Sequence, residues 1–307
     1  MAKGDIRSTG LHSAEYFGES RDHWWNDDFL ALMARRWRLP AVRKVLDLGS
    51  GVGHWGRALA PHLPGGAEVT GVDREARWVA EATALAEARG LAPRFRYVQG
   101  DAMALPFEAG TFDLVTCQTV LIHVGDVAAV LREMVRVTAP GGLVGVAEPN
   151  NLDWSPDTVA VGSDVDDVIA RFGLQMRCER GKAALGLGDN SVGPLLPGLF
   201  GSAGLADVEV HLSDKASPLT PPYATARERA TIEELRDWTT RDFWIWDRDE
   251  TERYYRAGGG DPARFAAAYR HAMDARRRML AEIDAGTYRS GGGAMTFVVS
   301  GRRPPNG

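Results

Sequence analysis

Residues Val45 to Gly56 read VLDLGSGVGHWG, and this stretch constrains the chain more than any other. Val45, Leu46 and Leu48 make a short apolar run suited to a strand buried on both faces, and glycines follow at once at 49, 51 and 53. A strand must end there. Glycines at alternating positions let the backbone turn sharply and leave main-chain N–H groups open to a ligand, and a helix starting at His54 points its positive end at the same place. The pocket expected is of nucleotide type.

Gly51, Gly53 and Gly56 also spell G-x-G-x-x-G, a dinucleotide fingerprint that is weak alone. Asp47 decides the balance. With it the stretch becomes D-x-G-x-G-x-G, which resembles the first motif of class I S-adenosylmethionine-dependent methyltransferases. The resemblance implies that Asp47 lies near the methionine end of the cofactor and that Gly49, Ser50, Gly51 and Gly53 run beneath its ribose.

The downstream order supports a nucleoside pocket. Ala67 to Val72 reads as a second strand ending at Asp73, about 20 residues past the last glycine of the turn, where an acid accepts both ribose hydroxyls; Arg74 follows. Arg94 to Gln99 reads as a third strand and leads into GDAMALPF. That string resembles the adenine-holding segment of the same enzymes and implies roles for Asp101, Ala102 and Met103, which a dehydrogenase does not require. Phe112 to Cys117 is the expected fourth strand, and FDLVTCQTVLIHV resembles the post-strand segment of the small-molecule branch, the ubiquinone and menaquinone methyltransferases, with backbone near Gln118 meeting the cofactor's amino group. The N-P-P-Y tetrapeptide of amino-group methyltransferases is absent from it. Asp126 is placed to cap the next helix, and Pro140, Gly141 and Gly142 turn the chain into a fifth strand, Leu143 to Ala147. Glu148 or Asn150, at the end of that strand, is positioned either to face an acceptor or to close a capped loop.

The alternation of strands and helices predicts an α/β fold: a Rossmann-like, doubly wound, seven-stranded and mostly parallel sheet. Three regions are expected. Residues 1–40 form a helical lid rich in aromatics, with Tyr16 at the cofactor or in the core and Phe17, Arg21, Trp24 and Trp25 as further lid residues, while Phe29, Leu32 and Trp37 are expected to pack on the sheet. Residues 41–224 plus 287–303 form the core. Residues 225–286 form a helical insertion before the last strand, Met295 to Ser300, because about 80 residues separate the last two strands. Within it one helix is expected from Arg227 to Asp247 and another from Asp261 to Ala285; upstream, a short helix is expected from Asp164 to Phe172. The insertion serves as a cap carrying Phe243 and Trp246 to the acceptor, or as a surface for a homodimer.

Composition narrows the partners. Lys and Arg number 36 against 41 Asp and Glu, a net charge of −5, which removes the general attraction to phosphate backbones on which nucleic-acid enzymes rely. A small-molecule acceptor is favoured over nucleic acid. Cys117 and Cys178 have no metal-type spacing, so neither a disulfide framework nor a metal site is expected, and no apolar run reaches the roughly 20 residues of a membrane-spanning helix, which makes the cytoplasm the default location.

The resulting functional expectation is methyl transfer from S-adenosyl-L-methionine, leaving S-adenosyl-L-homocysteine, to an aromatic or apolar small molecule. Secondary metabolites fall within that class. His123, just beyond the fourth strand, is the candidate general base. Trp24, Trp25, Asn150, Phe243 and Trp246 are the candidate acceptor contacts. An NAD-dependent oxidoreductase and a non-catalytic S-adenosylmethionine-binding protein on the same fold are the competing readings.

Overall fold

The computed structural model describes residues 18–152, 159–293 and 295–305. The chain divides into two compact units. The first is a sheet unit of Trp25–Asn150, Gly188–Asp214 and Met295–Gly307; the second, a helical unit, comprises Met1–Trp24, Asn151–Leu187 and Lys215–Ala294.

In the sheet unit the strands are β1 (Lys44–Leu48), β2 (Glu68–Asp73), β3 (Phe95–Gln99), β4 (Phe112–Gln118), β5 (Thr138–Pro149), β6 (Ala206–Leu212) and β7 (Thr296–Arg302). They form one sheet in the order β3-β2-β1-β4-β5-β7-β6, with β1 to β5 parallel and β7 antiparallel to both neighbours. This is the Rossmann-like α/β fold expected from the sequence. Alternate side chains of one strand enter opposite cores: Leu46, Val115 and Val144 pack on one face, and Val45, Leu114 and Leu143 on the other. Helices α1 (Asp27–Arg36), α2 (His54–Leu59) and α3 (Ala76–Ala88) supply the second face, while α4 (Val127–Val137) and α6 (Leu196–Ser202) supply the first. Asp126 caps α4 as expected, its Oδ1 accepting from the Ala129 N–H at 2.8 Å.

The order of strands reverses between β1 and β4, which places the ligand crevice of an open parallel sheet outside their carboxyl ends. No described helix is long and apolar enough to cross a membrane.

The helical unit contains α5 (Val165–Ala184), α7 (Ala226–Thr240), α8 (Arg248–Ala257) and α9 (Pro262–Asp284). Its segment Lys215–Ala294 contains the expected insertion, and the unit also takes in Asn151–Leu187. Helix α5 runs twelve residues past the expected stop at Phe172, because Leu174, Cys178 and Gly181 form a face that packs beside α8. Tertiary packing outweighs the roughly 1 kcal/mol that Gly173 costs in mid-helix.

The helix expected from Arg227 to Asp247 ends instead at Thr240. Asp242 turns left-handed (φ 53°), and Asp247 caps the separate helix α8 by accepting from the Glu250 N–H at 2.8 Å. Asp261 caps α9 as expected, accepting from Ala263 N–H at 2.9 Å.

Phe29 and Trp37 pack on the sheet as expected: with Met33, in and just after α1, they are buried in the sheet unit among Val45, Trp55 and Leu114. Tyr16 and Phe17 lie outside the described residues.

Candidate functional site

The glycine turn after β1 is left-handed at each expected position, with φ of 60° at Gly49, 51° at Gly51 and 81° at Gly53. Side chains are excluded here for two reasons. The conformation itself disfavours them, and a Cβ at Gly49 would lie 2.6 and 2.8 Å from the Val120 methyls. Gly53 carries the same constraint from the Tyr97 phenol, which occupies the space its Cβ would need.

Backbone bonds fasten the turn to the sheet. Ser50 N–H donates to Val72 O at 3.0 Å, Gly53 N–H to Ser50 O at 2.7 Å, and Gly51 N–H to the Asp73 carboxylate at 2.8 Å. Asp73 closes β2, and its second oxygen accepts from Glu75 N–H at 2.9 Å. Burial raises its carboxyl above the ordinary range, against the pull of those two amides. An ionised carboxylate has about four acceptor positions, so two amides leave capacity for hydroxyl donors.

Asp47 is buried, and its Oδ2 accepts from Gly56 N–H at 2.9 Å, so from β1 it caps the first turn of α2. Arg74 points its side chain to solvent beside Glu75. At the end of β3, Asp101 is exposed and folds an Asx turn onto Met103 N–H at 2.9 Å; Met103 is itself half exposed. Gly100 N–H donates to Asp73 O at 3.0 Å, so the turns after β2 and β3 meet. Gln118 is the buried last residue of β4.

Past Gln118 the chain turns through Thr119, left-handed at φ 53°, into the short 3-10 turn Leu121–His123, which leaves the His123 side chain exposed. Asn150 is buried at the end of β5, its N–H donating to Met295 O at 2.9 Å. Trp25 belongs to the sheet unit, stacked on Phe29 at 5.9 Å between ring centres and tilted against Trp55 at 5.1 Å. Trp24 belongs to the helical unit, where the Arg21 guanidinium lies 4.6 Å from its ring centre.

Phe243 and Trp246, expected at the acceptor, are core residues of the helical unit. Trp246 is 1% exposed between Trp244 and Tyr254, and Phe243 packs on Trp238. Their richness in aromatic carbon is accounted for by that core.

One residue near the turn escapes the sequence reading, and another changes role. Tyr97, on β3 opposite Gly71, lays its ring where the Gly71 Cβ would be and has its phenol pushed up to about 12, chiefly by burial. A glycine in mid-strand is the available signal, since it marks close approach by a neighbour. Glu148, expected at the acceptor, instead turns its fully buried carboxyl toward the segment after β4, accepting from Val120 N–H at 2.9 Å and Leu121 N–H at 3.0 Å.

The crevice fits an adenosyl sulfonium. The Ser50 hydroxyl, buried in the glycine turn, has no hydrogen-bond partner among the described residues, and acids follow β2 and β3 on the same edge. A sheet of this topology with a left-handed glycine turn at its switch point is the architecture of class I S-adenosylmethionine-dependent methyltransferases. Residues 45–142 of this chain match the methyltransferase domain family.

The demethylmenaquinone methyltransferase of Thermus thermophilus is 41% identical over 121 residues, covering 37% of this chain and 54% of the relative. The sterol 24-C-methyltransferase ERG6B of Gibberella zeae is 39% identical over 133 residues, 43% of this chain and 33% of the relative. The chain therefore spans about half or less of these curated relatives. Among solved structures, the YcgJ protein of Bacillus subtilis shares the fold with a TM-score of 0.50 at 20% identity, covering 91% of this chain and 99% of that one.

Proposed function

We infer that the protein transfers a methyl group from S-adenosylmethionine to a small aromatic or apolar acceptor. The observation that carries this reading is the Gly51 amide held on the Asp73 carboxylate at 2.8 Å, inside a segment that matches the methyltransferase domain. Quinone and sterol methyltransferases among the relatives support an apolar small molecule as acceptor.

In this reading Asp73 takes the ribose hydroxyls with its remaining acceptor capacity, and Gly49, Ser50, Gly51 and Gly53 lie under the sugar. Asp101 with the backbone of Ala102 and Met103 holds the adenine, and backbone at Gln118 meets the amino-acid end. Asp47 lies toward the methionine end of the cofactor and fixes the first turn of α2. When bound, the sulfonium supplies a methyl carbon that is already electrophilic.

The chain's own task is to align an acceptor in line with that carbon and exclude water; orientation of this kind is worth about 7 to 11 kcal/mol. His123, exposed just beyond β4, removes the acceptor's proton where it has one to lose. Trp25 and Asn150, both on the sheet unit, are the acceptor contacts that remain in this reading.

Calorimetric titration with S-adenosylhomocysteine, followed by a labelled-methyl assay on quinols, sterols and phenols, tests it. Binding in the micromolar range with label transferred to one acceptor class is expected. Absence of binding overturns the assignment, and binding with no transfer to any class favours the non-catalytic reading.

A further inference from the structure

Glu148 closes the apolar strand segment LVGVAE with a carboxyl that is 0% exposed. Burying a carboxylate there is costly unless donors surround it, and a glutamine or an apolar side chain would fill the space without that cost. The donors are gathered on one oxygen. Oε1 accepts from Val120 N–H at 2.9 Å, Leu121 N–H at 3.0 Å and the Cys117 thiol at 3.6 Å, whereas Oε2 has no hydrogen-bond partner among the described residues.

What those bonds hold is a strained turn. Thr119, a β-branched residue, is left-handed at φ 53°, a conformation that persists only where its surroundings impose it. Val120, the next residue, rests its methyls on Gly49, so any shift of this turn is transmitted to the glycine turn after β1.

We propose that Glu148 is a positioning residue for the cofactor crevice: by holding the Val120 and Leu121 amides it seats the post-β4 turn against Gly49, and so sets nucleoside affinity without touching the nucleoside. This rests on the reading of the crevice given above.

The groups that face Glu148 can be named element by element. Cys117 on β4 donates to it and is kept protonated by burial and by the acids on either side, Glu148 itself and Asp47 on β1. The post-β4 turn brings the amides of Val120, Leu121 and Ile122, and ends at His123, whose side chain is exposed. On β7 the residue in register is Phe297, and Gly193 approaches the Glu148 carbonyl; neither carries charge. Burial pushes the Glu148 carboxyl up to about 7, so its charge, and with it the stronger charge-assisted bonds to the two amides, changes across the neutral range.

The test is calorimetric titration of the full chain with S-adenosylhomocysteine at pH 6, 7 and 8, for wild type, Glu148→Gln and Glu148→Ala. Wild type is expected to bind up to about tenfold more tightly at pH 8 than at pH 6, since the bonds from the Val120 and Leu121 amides become charge-assisted as the carboxyl ionises. Glu148→Gln keeps an acceptor but not a titration, so it binds with a flatter profile; Glu148→Ala binds at least about tenfold more weakly throughout. His123 is unchanged in all three proteins, so the difference between profiles isolates residue 148. Where Glu148→Ala does not fold, Glu148→Gln alone decides.

Superimposable profiles for wild type and Glu148→Gln, or wild-type affinity in Glu148→Ala with only a lower melting temperature, overturn the proposal alone. Failure of wild type to bind at any pH overturns the reading of the crevice, and this proposal with it.

Discussion

The Gly51 amide and the Asp73 carboxylate, 22 residues apart, meet at 2.8 Å and join the turn after β1 to the end of β2. Asp73 is thereby a support for the glycine turn as well as an acceptor for a ligand. Asp73→Asn retains one acceptor oxygen and loses the charge, and a hydrogen bond to a charged group is worth about 1.5–3 kcal/mol. Calorimetry should show S-adenosylhomocysteine binding weakened by about 10- to 100-fold. Gly51→Val, which puts a β-branched side chain at φ 51°, should abolish binding. Wild-type affinity in either variant would remove the turn from the site.

His123 ends the short turn whose preceding amides are held by Glu148, with its side chain at the surface. A base acting on the acceptor but not on the cofactor should separate the two kinds of measurement. His123→Asn is expected to lower kcat by about 100- to 10,000-fold for an acceptor that must lose a proton, with S-adenosylhomocysteine affinity within about twofold of wild type. Unchanged turnover would make His123 part of the wall.

The elements legible in the sequence are those whose causes are local. Alternating strand and helix periodicity is sufficient for the parallel sheet, and Asp126 and Asp261 announce their helices because a cap acts within three residues. What escaped depends on partners far along the chain. Glu148 reads as a strand-end acid facing an acceptor until the amides of Val120 and Leu121, 28 and 27 residues earlier, are found on its carboxyl. Tyr97 gains its place from Gly71 and Gly53, and Gly173 reads as a helix stop only while α8 is unseen. Phe243 and Trp246 show a different limit: aromatic carbon marks burial, and burial serves a core as readily as a binding wall.

Helices α5 and α8 approach at Gly181 and Gly258, where a Cβ on Gly181 would fall within the Tyr254 carbonyl and one on Gly258 within that of Arg177. Backbone cannot move aside as a flexible side chain can, so Gly181→Ala must separate the helices and open the core formed by Leu174, Cys178, Tyr254 and Tyr255. Overpacking of this kind costs about 1–3 kcal/mol or more. Chemical denaturation should show the loss, with Gly173→Ala, in the same helix but with open space around its Cβ, as a comparison for the backbone effect alone. Equal effects in the two variants would show that the helices do not make this contact.

Glu148 makes the stability of the fold depend on pH. Its carboxyl is raised from 4.5 to about 7 in the folded protein, chiefly by burial. The folded state therefore holds the proton more tightly than the unfolded chain, and stability is greatest below the unfolded value and falls as pH rises through about 7. The fall approaches about 3 kcal/mol, since each tenfold difference in proton affinity between the two states is worth about 1.36 kcal/mol. Glu148→Gln has no such proton to lose, so its stability relative to wild type should increase between about pH 5 and pH 8 in denaturant titrations. A difference that stays constant over that range would mean that the buried carboxyl ionises as an ordinary one does. Together with tighter nucleoside binding above about pH 7, the expected result would make Glu148 a residue whose charge costs the fold stability and steadies the turn beside the glycine loop.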